Sequence, residues 1–406
     1  MLISLYSRAM GFLRQNFALL SFGFLCVFWG NFGQSFFVSW FGGDIQRSLN
    51  ISASAYGSAY SLATLASAMT VVWAGALIDR VSLSRYSATV AVGLVFACVV
   101  LAMAPNYIAL CIGFYLLRFF GQALFPHTGI TTMARYFEAG RGKALSIAGS
   151  GVAVGEVFLP VLAVFAITLI GWRNTYFCIA VLTLTFYLPL TRFCLRLTKG
   201  IRTETEQNRV GHKPKATDGL KLLLKDRRYW LALPGISAAP FVVTGIFIHQ
   251  DYVIMEKSWS QGILASSFII FGVVHWLTSL FSGFMVDRFS ARKLLPFTPM
   301  ALVFAQLCLA FVPGLWVAPV FMGLLGAAIG FSQPINGALW AEVYGTKLIG
   351  SIRSVNVAAM VLASSISPVL FGVLIDVDVP INLLFGTSAA LTLLANCFLF
   401  FSFSRG

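Results

Sequence analysis

Two charged side chains stand inside apolar runs, where a charge costs several kcal/mol unless it meets a partner or a watery cavity. They are Arg118 and Glu156. Arg118 lies about 11 residues into the run 107–131 and Glu156 about 13 into the run 143–169, so a helical rise of about 1.5 Å per residue places them about 16 and about 20 Å from the ends of their runs. Consecutive spanning helices run antiparallel, so both fall near the midplane, at a depth where they are able to pair. A fixed guanidinium there suits an anion clamp or a proton relay. A buried carboxyl, whose proton affinity answers both to burial and to a neighbouring cation, suits a coupled proton or a permanent structural pair.

The other polar candidates are Asn31, Gln34, Gln122, His127, His249, His275, Gln333 and Asn336. Each serves equally as a ligand group or as a helix-to-helix hydrogen bond. Asn31 stands within Trp29-Gly30-Asn31-Phe32-Gly33-Gln34, where two glycines are placed to open the helix and free backbone groups. Trp29, Trp40 and Trp340 fit a cavity wall, an interfacial belt or plain packing.

The elements that position these residues follow from composition. With 58% hydrophobic residues, 10% charged and a mean hydropathy of +0.85, 406 residues cannot make a soluble globule, and the chain belongs in a bilayer. Apolar runs of spanning length fall at roughly 17–40, 53–78, 86–104, 107–131, 143–169, 174–194, 229–252, 262–285, 294–313, 315–338, 350–375 and 381–403. They lack the alternation of a β-barrel. The expected fold is an all-α membrane protein of twelve transmembrane helices, six on each side of a polar stretch. That divides the chain into a bundle at 1–194, a linker at 195–228 and a second bundle at 229–406. The basic leader before the first run is short and the run is long enough to span, so it reads as a retained helix.

The linker carries Lys199, Arg202, Arg209, Lys213, Lys215, Lys221, Lys225, Arg227 and Arg228 among four acids. Numbering loops alternately from a cytoplasmic N-terminus leaves Arg47, Arg173 and Lys257 outside and Arg118 in the membrane, so 28 − 3 − 1 = 24 of the Lys and Arg face the cytoplasm. This bias predicts cytoplasmic termini in a plasma membrane, a bacterial inner membrane. It makes the net charge of +14 a matter of topology, with the lipid bilayer rather than a nucleic acid as partner.

Across the two halves the chain repeats itself. Gly75-x-x-x-Asp79-Arg80-x-Ser82 recurs as Gly283-x-x-x-Asp287-Arg288-x-Ser290, an offset of 287 − 79 = 208. The same offset superposes Pro126 on Pro334, Tyr136 on Tyr344, Gly142 on Gly350 and Ser146 on Ser354. Two similar helical halves around a centre are the usual basis of alternating access. Chemistry of other kinds finds no support. Seven cysteines are dispersed without a CxxC pair, the four histidines form no metal-ligand spacing, and no phosphate-binding loop occurs. The chain is expected to be no enzyme, to need no cofactor or metal, and to draw any uphill movement from an ion gradient.

The duplicated loop, Gly75 to Arg85 and Gly283 to Lys293, resembles the signature of the major facilitator superfamily, and six plus six helices around a basic linker extend the resemblance over the whole chain. Ser82 and Ser290 depart from it, standing where the family usually has Gly. The resemblance implies a conformational gate at Gly75, Asp79, Arg80, Gly283, Asp287 and Arg288, with the two aspartates latching the bundles on the cytoplasmic side. Anchoring of helix ends at lipid headgroups is the simpler role for Arg80 and Arg288. The resemblance also implies a cavity lined by the first, fourth, seventh and tenth helices, with substrate and coupling groups among Arg118, Glu156, Asn31, Gln34, Gln122, His275, Gln333 and Asn336.

Gly149-Ser150-Gly151-x-x-x-Gly155-Glu156 followed by Pro160 is similar in part to the monocarboxylate and oxalate branch. That branch often has an acidic residue and an Arg one turn apart in the eighth helix, where this chain has His275 and Ser279. What the resemblance implies is a secondary active transporter that moves a small organic solute by proton-coupled alternating access; a monomer is expected, and an organic anion is the expected solute because Arg118 is the one basic side chain of permanent charge near the midplane. Proton-driven efflux of drugs or metabolites, and a receptor that keeps the fold without moving solute, are the competing expectations.

Overall fold

The computed structural model of the chain describes residues 2–137, 140–198, 222–345 and 349–402, with side chains from Asn16 onward in the first segment. The basic positions 199–221 of the expected linker lie outside the described residues. Among the described residues every regular element is helical.

Among the described residues eleven helical runs are long and apolar enough to cross a membrane. One of them, Arg141–Leu197, is broken at Gly171, whose φ of 77° and ψ of 162° leave the helical region. Counting the two sides of that break separately gives the expected twelve. They are α1 (Leu2–Gly30), α2 (Ala53–Ala76), α3 (Leu83–Ala102), α4 (Tyr107–Tyr136), α5 (141–170), α6 (172–197), α7 (Arg227–Ile248), α8 (Gln261–Phe289), α9 (Ala291–Phe311), α10 (Val317–Tyr344), α11 (Ile349–Asp376) and α12 (Ile381–Ser402).

The chain packs as two compact units. One gathers Met1–Gln34, Ala66–Gly155 and Ile170–Gly211; the other gathers Ser35–Leu65, Glu156–Leu169 and His212–Gly406.

Helix ends near a membrane must find partners for their last backbone groups, because lipid offers none. Asn106 accepts from Ala109 N (3.0 Å) at the start of α4, and Ser260 from Ile263 N (3.2 Å) at the start of α8. Arg173 donates to the carbonyls of Ala102 and Ala104 (2.8 and 3.0 Å) where α3 stops. Asp226 caps α7 through Arg228 N (2.9 Å). Burial pushes its carboxyl up, but hydrogen bonds from Arg228 and Tyr344 more than offset this and hold its pKa below the ordinary value.

The most distant cap belongs to Asp376, whose two carboxylate oxygens accept from Ala53 N and Ser54 N, both at 3.0 Å. The end of α11 thus holds the start of α2 inside one unit. Glycine makes the approach possible, since a methyl on Gly372 would fall 2.6 Å from the Ser54 Cα.

Candidate functional site

The run expected as one helix over 17–40 stops being α-helical at Gly30. Asn31–Gly33 forms a single 3₁₀ turn, Gln34 is extended (φ −76°, ψ 151°), and short helical pieces resume at Ser35. The glycines therefore do open the helix. A second irregularity faces this break: Leu117–Leu124 of α4 is a π-helix, one residue wider per turn, and it contains Arg118 and Gln122. The two irregular segments touch backbone to backbone. A methyl on Gly33 would land on the Gln122 amide nitrogen and 2.6 Å from the Leu117 carbonyl.

Arg118, 3% exposed, donates from Nη1 to the Gly33 carbonyl at 3.1 Å, so its charge is spread over a carbonyl that the helix break made available. Gly33→Ala is expected to cost about 1–3 kcal/mol by overpacking, read as a lower Tm in detergent, and to weaken any function that needs Arg118 in place.

Asn31 is fully buried and donates from Nδ2 to the Gly151 carbonyl of α5 at 2.8 Å, which leaves its Oδ1 without a hydrogen-bond partner. A methyl on Gly155 would fall 2.5 Å from the Asn31 Cγ, which ties the glycine-rich face of α5 to this side chain. Trp29 is held by Thr183 (3.0 Å) in the π-helical stretch Thr183–Tyr187 of α6. All three tryptophans named above are buried.

In the second unit Glu156 of α5 meets His275 of α8, with Oε2 and Nδ1 2.7 Å apart. Both are buried, at 6% and 8% exposed. The backbone around His275 is fixed by α10, because a methyl on Gly330 would fall 3.0 Å from the Ser279 amide nitrogen and closer still to Thr278 Oγ1. Depth alone offered Arg118 as the partner of Glu156. The two residues belong to different units, and each has a hydrogen bond within its own.

Other candidates are placed less pointedly. His249 is buried with Nε2 2.7 Å from the Pro368 carbonyl, and His127 has Nε2 3.1 Å from the Gly75 carbonyl, so both hold helices together. Gln34 and Gln122 are half-buried beside the helix-1 break. Gln333 is exposed, and Asn336 is half-buried with an unpartnered Oδ1.

The two copies of the duplicated loop are wired differently. In the first, Asp79 pairs with Arg135 at the end of α4, and Arg135 also donates to the Ile78 carbonyl at 3.2 Å. Arg80 is exposed. In the second, Gly283 has open space around it, Asp287 and Arg288 are exposed, and Arg288 lies over the Phe289 ring at 5.4 Å. There Glu342 of α10 does the bonding: it accepts from Ser290 Oγ (2.8 Å), Ala291 N (2.8 Å) and Arg292 N (3.3 Å).

Ser290 has φ 74°, in the region that favours glycine, whereas Ser82 has φ −59° and needs none. Arg135, Glu342 and Asp376 were not singled out from the sequence. The repeat could not flag Glu342, because 342 − 208 = 134 is an alanine.

Comparison with known proteins agrees with this architecture. The family model described as Major Facilitator Superfamily matches residues 20–274 and 250–405. The MFS-type transporter YcxA of Bacillus subtilis (strain 168) is 24% identical over 317 residues, 74% of each chain. The transporter YybO of the same organism is 22% identical over 382 residues, 88% of this chain and 87% of its own.

Among solved structures, the nucleoside transporter NupG superposes with a TM-score of 0.75 at 13% identity, over 96% of this chain and 99% of its own. A D-xylose-proton symporter gives 0.72 at 16%, over 96% and 98%. Helices, repeat and matched family together place the chain in the major facilitator superfamily, as a multi-pass membrane transporter of a small-molecule substrate and not an enzyme.

Proposed function

We propose that the protein moves a small organic anion by proton-coupled alternating access, as a monomer in the bacterial inner membrane with both termini cytoplasmic. The observation that carries this reading is the buried contact of Glu156 with His275 at 2.7 Å. A carboxyl and an imidazole in contact hold one proton between them without net charge. A second proton would leave a positive charge in the membrane, which costs several kcal/mol until an anion arrives to offset it. Arg118 supplies the fixed charge that attracts the anion, and a carboxylate is the group whose geometry its fork matches. Asn31, Gln34 and Gln122, in the same unit as Arg118, then orient the rest of the solute.

The moving bodies are 1–194 and 229–406, joined by 195–228. The loops at Gly75, Asp79, Arg80 and at Gly283, Asp287, Arg288 govern their exchange. Purified protein in liposomes should accumulate a labelled carboxylate under an inward proton gradient and lose it on addition of a protonophore. Export of an amphipathic compound driven by proton entry would instead make it an efflux antiporter, and binding without flux a receptor. Reporters fused at the N-terminus, within 195–228 and after Ser404 should all read cytoplasm, with one at 104–106 reading outside; an external signal from the linker would invert the orientation.

A further inference from the structure

A group of packed rings in the second unit ends on His275. Phe268 of α8 lies at the centre of a group of rings: its centroid is 5.5 Å from Phe271, 5.3 Å from Phe247 of α7, 5.6 Å from Trp40 and 6.2 Å from Phe36. Phe271 in turn lies 5.7 Å from Phe247 and 5.9 Å from the His275 imidazole. All five aromatic residues are buried, Phe268 completely. Trp40 Nε1 has no hydrogen-bond partner, so the indole offers no polar bridge through the group. Phe268 stands seven residues before His275 on α8, about 10 Å toward the start of that helix. The rings come from separate stretches of chain: the pieces after the helix-1 break, the end of α7 and the first turns of α8.

The geometry points to Phe268 as the centre of a dry aromatic barrier that keeps protons from reaching Glu156 and His275 from the side where α8 begins. This rests on the reading of that pair as the proton carrier. Coupling needs the pair to be reachable from one side at a time, since a carrier open to both sides lets protons run down their gradient without solute. A proton crosses protein along hydrogen-bonded groups or water, and packed phenyl rings provide neither. Phe36 and Trp40 stand on the short pieces that the break at Gln34 has freed from α1, while Phe247, Phe268 and Phe271 stand on α7 and α8, so the group has two sides able to separate when the other face opens. Removing the central ring would take Phe36 and Trp40 out of contact with α8 and open the packing that keeps water from Phe271 and the polar pair behind it.

The test is proton entry into liposomes loaded with a pH-sensitive dye, under a clamped potential and with no solute present. Phe268→Ala should admit protons roughly tenfold faster than wild type. Phe268→Leu, which keeps most of the volume, should stay at the wild-type rate. The double variant of Phe268→Ala with Glu156→Gln should return to that rate, because the leak passes through the carboxyl. Phe268→Val serves the same purpose if the alanine variant does not reconstitute as a folded monomer.

A folded Phe268→Ala or Phe268→Val protein that admits no more protons than wild type overturns the barrier, as does a leak that persists in the double variant. If Glu156→Gln alone still drives uptake with protons, the carrier assignment itself falls. That outcome is read from uptake and not from the leak, so the two failures are distinguishable.

Discussion

Glu156→Gln is expected to exchange substrate at close to the wild-type rate and to lose accumulation driven by a proton gradient. The amide has the shape of the protonated acid and cannot release a proton, so in the proposed cycle the protein is held in the loaded half. Its hydrogen bond to His275 survives in altered form, because the imidazole Nδ1 now 2.7 Å from Oε2 has both a donor and an acceptor available on the amide. Folding should therefore change little, and the loss should appear in one assay only. Counterflow of labelled substrate, measured beside gradient-driven uptake in the same liposomes, separates the two. Continued uphill uptake by Glu156→Gln would make the contact structural and move the search for the proton carrier to His275 itself.

Arg118→Lys should weaken binding of an anionic substrate roughly ten- to hundredfold, the size of a lost charge-assisted hydrogen bond. The ammonium keeps the charge but not the flat fork, and the guanidinium that bonds the Gly33 carbonyl has no lysine equivalent. Arg118→Ala should go further and abolish high-affinity binding, because the proposed attraction of its fixed charge is lost as well as the geometry. Titration of ligand-dependent Tm reads the affinity without depending on flux. An unchanged dissociation constant in Arg118→Lys would leave Arg118 as a fastener of the helix-1 break, and a neutral or cationic solute would then be favoured.

The burial of two candidate residues and the place where α1 opens were legible in the sequence, and for a definable reason. Depth along a spanning helix is a one-dimensional property, so the burial of Arg118 and Glu156 followed from counting residues, and two glycines around Asn31 marked where α1 would open. Rotation about the helix axis is not one-dimensional. In lipid no hydrophobic stripe records which face meets which neighbour, because the solvent is as apolar as the packing surface. The π-helical turn that carries Arg118 left no periodic trace for the same reason.

The sequence by itself determined a bilayer protein of twelve helices, two repeated halves and the charge bias of its loops, since length, hydropathy and spacing are sufficient for each. Tertiary structure alone decided the partners. Glu156 and His275 stand 119 positions apart, and Asp376 and Ser54 322 apart. Their meeting depends on glycines whose missing side chains let backbones touch, and on helix breaks that redirect a few residues. A hydrogen bond needs its two atoms placed within a few tenths of an ångström, and only the packed helices fix positions that closely.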